Sequence, residues 1–474
     1  MSRIVLLGVG PLPSPNLERV HAPGLRLRLF LDAIRLSGHS VFLVELPFGG
    51  QAAPHSPLYE KNIQSHRRLE GDTRRMIDQL EGWVREFEPD AIVALTDIGG
   101  LLASSINFRG PLWVDYFGHP LAERQQQAHA HGSNDSLADA WTHVLPALLR
   151  ADHFSVGVPS QRLALVGELG VAGRLNSATC GHELVSVVDQ GVSFPGTKLA
   201  AKSNYTQKIG IPAGARTILS SGGFNTWTDG ETLFKAVEKA LIQEPDLHFV
   251  CTGGRIPGHV EVVYERFERA VGNSSVASRF HLLGWIQHEQ LLEALASADV
   301  GINIDLNTLE GELGYRNRLL GWLQAGMRVV STVVGEPARG LVADGLVREI
   351  PFADADAAAA ALVEQARLGR WASAEDVRGR LQTRWSATRD TEAVVRFCDA
   401  PKVAPDRAGG RDVQNPLAEL HRQSLLEHER QQGEVSARRF ARDTGKRLLG
   451  SRMFGLAAYF NPKLKEMAER LSQL

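Results

Sequence analysis

Residues 310–332 read EGELGYRNRLLGWLQAGMRVVST. Glu310 and Glu312 fall in a predicted loop, Gly314 lets the chain turn, and Arg316 and Arg318 open a helix whose apolar positions Leu319, Leu320 and Leu323 recur at helical spacing. Gly326 stops that helix, and Val329 and Val330 begin a buried strand. A helix N-terminus offers unpaired amides to phosphate oxygens, guanidinium groups add bidentate donors, and nearby carboxylates can hold sugar or ribose hydroxyls. The segment therefore fits a pocket for a nucleotide-sugar diphosphate. Its plainer reading is a structural loop and helix, with Glu312 and Arg316 as a solvated pair worth ~0.3–0.5 kcal/mol.

Working outward, the loop, helix and strand of this segment end a longer alternation. Strands are predicted at 217–220, 247–251, 280–284 and 300–304, with helices at 231–242 and 290–296. The first half repeats the theme, with strands at 4–7, 41–46, 91–95 and 112–117 and helices at 25–36 and 72–87. Between the halves, Pro195, Gly196, Gly210, Pro212 and Gly214 interrupt any period and mark a linker. The expected fold class is α/β: two doubly wound parallel-sheet, Rossmann-like domains facing a cleft, at 1–195 and 215–398, joined by a linker at 196–214. Residues 399–474 are expected to form a further linker and a basic helical tail.

A 474-residue chain with 43% hydrophobic and 22% charged residues has the composition of a soluble globular protein with ample core. Its formal net charge of -2 gives no reason to expect nucleic acid as a partner. Cys180, Cys251 and Cys398 lack the spacing of a zinc site or redox pair, which suits a reducing compartment. The N-terminus enters a strand directly, too short for a secretory h-region, and no run of eighteen apolar residues suggests a membrane span, so a cytoplasmic protein is expected. In the tail, Arg438, Arg439, Arg442, Lys446, Arg447 and Arg452 face only Asp443 and precede Met453, Phe454, Leu456, Tyr459 and Phe460. Residues 436–460 can thus lie peripherally on an anionic membrane surface, or pack on the protein or a partner.

The loop beginning Gly8, Val9, Gly10, Pro11 starts like a dinucleotide fingerprint, lacks the third glycine, and puts proline where a phosphate-facing amide is needed. NAD binding is not expected; Gly8, Gly10 and Gly24 read either as a substrate-side close-approach segment or as a tight turn. In the loop at 220–229, Gly222 and Gly223 let amides meet a phosphate, and Asn225 and Thr226 can donate to it. Asp229 suits a helix cap. Behind the strand at 112–117, Asp115 and His119 offer a carboxylate and an imidazole for acid or base work, or a structural pair. Asp354 and Asp356 imitate a metal-holding pair but precede an alanine-rich helix, so capping is expected, with no metal site and no cofactor.

Taken in order, Ser37-Gly38-His39, the SGGFN at 221–225, the TGG ending at Gly254, Leu283-Gly284-Trp285, the SADVG at 297–301 and the AGMRVV at 325–330 give the chain its likeness. Over residues 3–395 it resembles a GT-B glycosyltransferase of the family 4 type. The resemblance implies sugar transfer from a nucleotide-sugar donor, held by the C-terminal half, to a glycan, lipid-linked or peptide acceptor on the N-terminal side. It implies no metal at the diphosphate, a departing nucleoside diphosphate stabilised by a helix dipole and basic side chains, and retention of configuration. His119, Asp115, Glu310 and Glu312 are then the catalytic candidates. Gly222, Gly223, Asn225, Thr226, Gly254, Gly314, Arg316 and Arg318 are the donor-binding ones, and Gly8, Gly10 and Gly24 line the acceptor side. Two departures stand out: Gly321 replaces the family's second glutamate, and 223–229 carries no basic residue, which leaves charge neutralisation to Arg316 and Arg318. The alternatives are a degenerate scaffold or binding subunit on this fold, and a sugar-nucleotide epimerase.

Overall fold

The structure is a computed structural model and describes residues 1–14, 17, 20–47, 58, 60–190, 203–256 and 261–408. The first sheet contains β1 (Arg3–Val9), β2 (Ser40–Leu46), β3 (Ile63–Arg68), β4 (Ala91–Leu95), β5 (Leu112–Tyr116), β6 (His153–Val156) and β7 (Val185–Val187), in the order β3-β2-β1-β4-β5-β6-β7. Every pairing in it is parallel. β1 and β2 read RIVLLGV and SVFLVEL and are buried almost throughout, as strands covered by helices on both faces must be. The sequence reading missed β3, β6 and β7. β3 is the polar edge strand IQSHRR, and β6 and β7 have only 4 and 3 residues, too few to show a period.

The second sheet contains β8 (Arg216–Gly223), β9 (Leu247–Gly254), β10 (Phe280–Gly284), β11 (Val300–Asn303), β12 (Arg328–Ser331) and β13 (Val347–Glu349), in the order β10-β9-β8-β11-β12-β13, again all parallel. The strand order reverses between β1 and β4 in one sheet and between β8 and β11 in the other. Crevices therefore open outside the carboxyl ends of those strands, where ligands bind in sheets of this kind.

Residues beyond Trp385 return to the first half. Val394 and Cys398 on the Glu392–Asp399 helix pack with Leu27, Phe30 and Ile34 of the Ala22–Leu36 helix. Ser2 Oγ donates to the Cys398 carbonyl at 2.6 Å. Arg174, fully buried, pairs with Asp406, and Asp152 accepts from the Ala404 amide at 2.8 Å and from Arg407 at 2.7 Å. The sequence reading placed residues up to 398 with the second half; in the structure Glu392–Asp399 lies against the first. Trp385 Nε1 donates to Asp189 at 2.9 Å where the chain crosses back. The basic segment at 436–460 and part of the linker at 196–214 lie outside the described residues.

Candidate functional site

The crevice of the second sheet is built around Arg316 and Arg318. The glutamates predicted in a loop belong to a short helix, Leu309–Leu313, and Arg316 precedes the Asn317–Gln324 helix rather than lying within it. Arg316 Nε donates to Asp305 at 2.6 Å, while Nη1 and Nη2 donate to the two carboxylate oxygens of Glu310 at 3.1 and 2.6 Å. Its guanidinium also sits 5.0 Å from the centre of the Trp227 ring. Burial opposes the charge, but Asp305 and Glu310 outweigh it and raise the pKa of Arg316 further. Gly314 makes this fork possible, because a Cβ there would stand 2.8 Å from both Glu310 Oε1 and Arg316 Nη1.

Arg318 differs. Its Nη2 donates to the Gly223 carbonyl at 3.0 Å, and among the described residues no carboxylate lies at ion-pair distance. Burial lowers its pKa, with Asp305 pulling the other way. Gly222 faces it, so that a Cβ would lie 3.4 Å from Nη2. A half-buried guanidinium without a counter-ion is a ready partner for an anion. Thr226 Oγ1, in the loop after β8, and Thr252 Oγ1, near the end of β9, are buried with no hydrogen-bond partner among the described residues. Asp305 is held by Asn303 Nδ2 at 3.2 Å and donates from its amide to Thr332 Oγ1 at 2.8 Å, which fixes the carboxylate that holds Arg316.

The remaining sequence candidates sort by their contacts. Glu312 pairs with Arg339 at 3.0 Å on the surface, not with Arg316, while its carbonyl accepts from Ser160 Oγ of the first half at 2.9 Å. Asn225 closes a turn by accepting from the Thr228 amide through its carbonyl. Gly254 keeps clear of the Tyr264 ring, and Gly223 of Ile256. Asp229 and Asp354 are helix caps, accepting from the amides of Thr232 at 3.0 Å and Ala357 at 2.9 Å. Among the described residues no group of three or more His, Cys, Asp or Glu side chains could hold a metal ion, and no helix is long and apolar enough to cross a membrane.

On the first half, Asp115 is 0% exposed and fully engaged: Arg26 donates to it from Nε at 3.0 Å and Nη2 at 2.7 Å, and Ser155 Oγ at 2.5 Å. That places it in a core ion pair with no face toward an acceptor, contrary to the expected acid or base. His119 caps the Pro120–His131 helix, its Nδ1 accepting from the Ala122 amide at 3.2 Å. Its Nε2 stands 3.0 Å from Glu168 Oε1 but out of line for a hydrogen bond. His119 and Asp115 do not touch each other. Gly8, Gly10 and Gly24 are small for packing reasons: Cβ atoms there would lie 2.7 Å from Leu27 Cδ1, 2.6 Å from Glu45 Cδ and 2.5 Å from the Pro11 carbonyl oxygen.

No protein-family model matches the chain, and no curated protein matches it in sequence. Solved structures do resemble it. Sucrose-phosphate synthase from Thermosynechococcus elongatus superposes with a TM-score of 0.60 at 14% identity, over 90% of this chain and 100% of that one. HepE of Anabaena in complex with UDP-glucose gives 0.59 at 13%, over 84% and 100%. The chain has the GT-B fold. A trehalose-6-phosphate protein from E. coli, bound with UDP-2-fluoro glucose, also superposes at 0.59 and 14% identity, over 85% of this chain and 100% of that one.

The GT-B cleft brings together three residues that the sequence reading left without a role: Asp305, Trp227 and Glu123. Asp305 lies two residues past the end of β11, so its place at a switch-point strand end was a usable signal once the strand order was known. Trp227 and Glu123 gave none, since their importance depends on which segments face each other across the cleft.

Proposed function

We propose that this chain is a glycosyltransferase that takes a sugar from a nucleoside-diphosphate donor seated at the carboxyl ends of β8 and β11. The observation that carries the reading is Arg318, a half-buried guanidinium with one carbonyl partner and, among the described residues, no counter-ion, opposite Gly222. Arg316, which the sequence grouped with it as a phosphate ligand, serves instead to orient Glu310 beside the sugar position. The charge of the departing diphosphate falls on Arg318, a form of electrostatic stabilisation that works without a divalent cation. Retention of configuration and a hexosyl donor are the finer parts of this proposal. The UDP-sugar complexes among the structural neighbours make UDP the first nucleotide to try.

Calorimetric titration of the full chain with UDP, and of Arg318→Met, tests this. The substitution removes a half-buried charge with no counter-ion among the described residues, so thermal stability holds or rises, while UDP affinity falls ~10- to 100-fold for a lost charge-assisted bond of ~1.5–3 kcal/mol. UDP binding of equal strength in both proteins removes Arg318 from the donor site. A second reading, a binding or scaffold subunit on the same fold, is favoured by the absence of any basic residue from 223 to 229. It predicts that the full chain binds no nucleoside diphosphate in the same titration.

A further inference from the structure

Among the described residues, Glu123 stands in the cleft without a partner. It lies one turn beyond the His119 cap, on the Pro120–His131 helix that meets the second half: three residues further on, Gln126 Nε2 donates to the Thr226 carbonyl at 3.1 Å. The same helix packs on Leu309–Leu313, which carries Glu310. Gly118 leaves room for the Glu123 carboxyl, which would collide with a Cβ there. Among the described residues no hydrogen-bond donor or cation is in contact with it.

The charges facing it come from several elements. Glu310 and Arg316 approach from the second half, Asp97 from the start of the Thr96–Ser105 helix, and Arg124 from its own helix. Asp97 is itself 3.4 Å from His143 of the Asp135–Arg150 helix, and His119 and Glu168 lie next to the base of the helix. Burial, then Glu310 and Asp97, push the Glu123 carboxyl up to about 8, and Arg124 and Arg316 only partly oppose them. A neutral carboxyl is a hydrogen-bond donor, which an ionised one is not.

We infer that Glu123 is a ligand-binding residue of this cleft, meeting a bound nucleoside diphosphate from the first half and donating a hydrogen bond to one of its phosphate oxygens. The inference rests on the donor-site reading above. Arg318 then holds the diphosphate by charge and Glu123 by a proton. Linkage follows: an anion in the cleft favours the protonated carboxyl, and the protonated carboxyl favours the anion.

UDP is titrated into the full chain near pH 8 in buffers of differing ionisation enthalpy, the slope of heat against that enthalpy counting protons. The wild type takes up a fraction of a proton, on the order of 0.5, and its UDP affinity falls up to about tenfold per pH unit above 8. Glu123→Gln, which keeps a donor but cannot titrate, binds UDP without this uptake and with a flat profile. Glu123→Met loses both, and binds about tenfold more weakly at pH 7 if one hydrogen bond of ~1.4 kcal/mol has gone. His143 stays in all three proteins, so an uptake unchanged in Glu123→Gln belongs elsewhere and overturns the inference. UDP binding without Glu123-dependent uptake leaves the donor site standing; no UDP binding at all overturns the donor-site reading with it.

Discussion

Arg316 lies 2.6 Å from both Asp305 and Glu310, whereas Arg318, two positions later, has a carbonyl alone among the described residues. The sequence marks both as cations near carboxylates and cannot divide the labour, because the division depends on Asp305, which arrives from another strand end. Asp115 and His119 mislead for the same reason: Arg26, 89 residues away in sequence, claims the aspartate. Glu123 allows a pH test at this scale. Its folded-state pKa of about 8 lies above the ordinary 4.5, so the wild type loses stability relative to Glu123→Gln as pH rises from about 4.5 to 8 and no further beyond. The slope has a ceiling of about 1.4 kcal/mol per pH unit. Thermal melts from pH 5 to 9 check it; parallel curves for the two proteins contradict the raised pKa.

Elements whose apolar residues run unbroken, such as β1 and β2, were legible from sequence; those at sheet edges were not, since β3 has half-exposed polar residues and β7 only three. The β8–β9 pair ends in glycines for a reason the motif did not disclose. Gly253 has φ +100, and a Cβ there would stand 2.5 Å from the Gly222 carbonyl oxygen. The glycines let two strand ends close on each other and hold Gly223 where Arg318 reaches it. Gly253→Ala is therefore expected to cost about 2 kcal/mol or more in urea unfolding and to weaken UDP binding through Arg318. A loss below about 0.5 kcal/mol would falsify this account of the strand ends.

For the whole molecule, two alternating halves and a cleft could be read from the order of strands and helices, while the return of the chain to the first half could not. The helices there look like any others in sequence, and their partners lie hundreds of residues away. Asp152 anchors that return, accepting from the Leu112 amide at 2.9 Å, the Ala404 amide at 2.8 Å, Arg150 at 3.2 Å and Arg407 at 2.7 Å, all while 1% exposed. Asp152→Ala strands two arginines and two amides, and a loss of ~3–5 kcal/mol is expected in denaturant unfolding. Faster proteolysis between 400 and 408 accompanies it if the anchor works as described; resistance equal to the wild type counts against it.

The double crossing has a mechanical consequence. The chain passes from one half to the other between Val188 and Ile211, and back between Trp385 and Val394. Trp385 and Asp189 tie the two passages together by a hydrogen bond. A body tethered once can swivel about every axis; tethered twice, it turns chiefly about the line through its tethers. A swing about that line would bring Glu123 and Gln126 toward or away from Glu310 and Thr226.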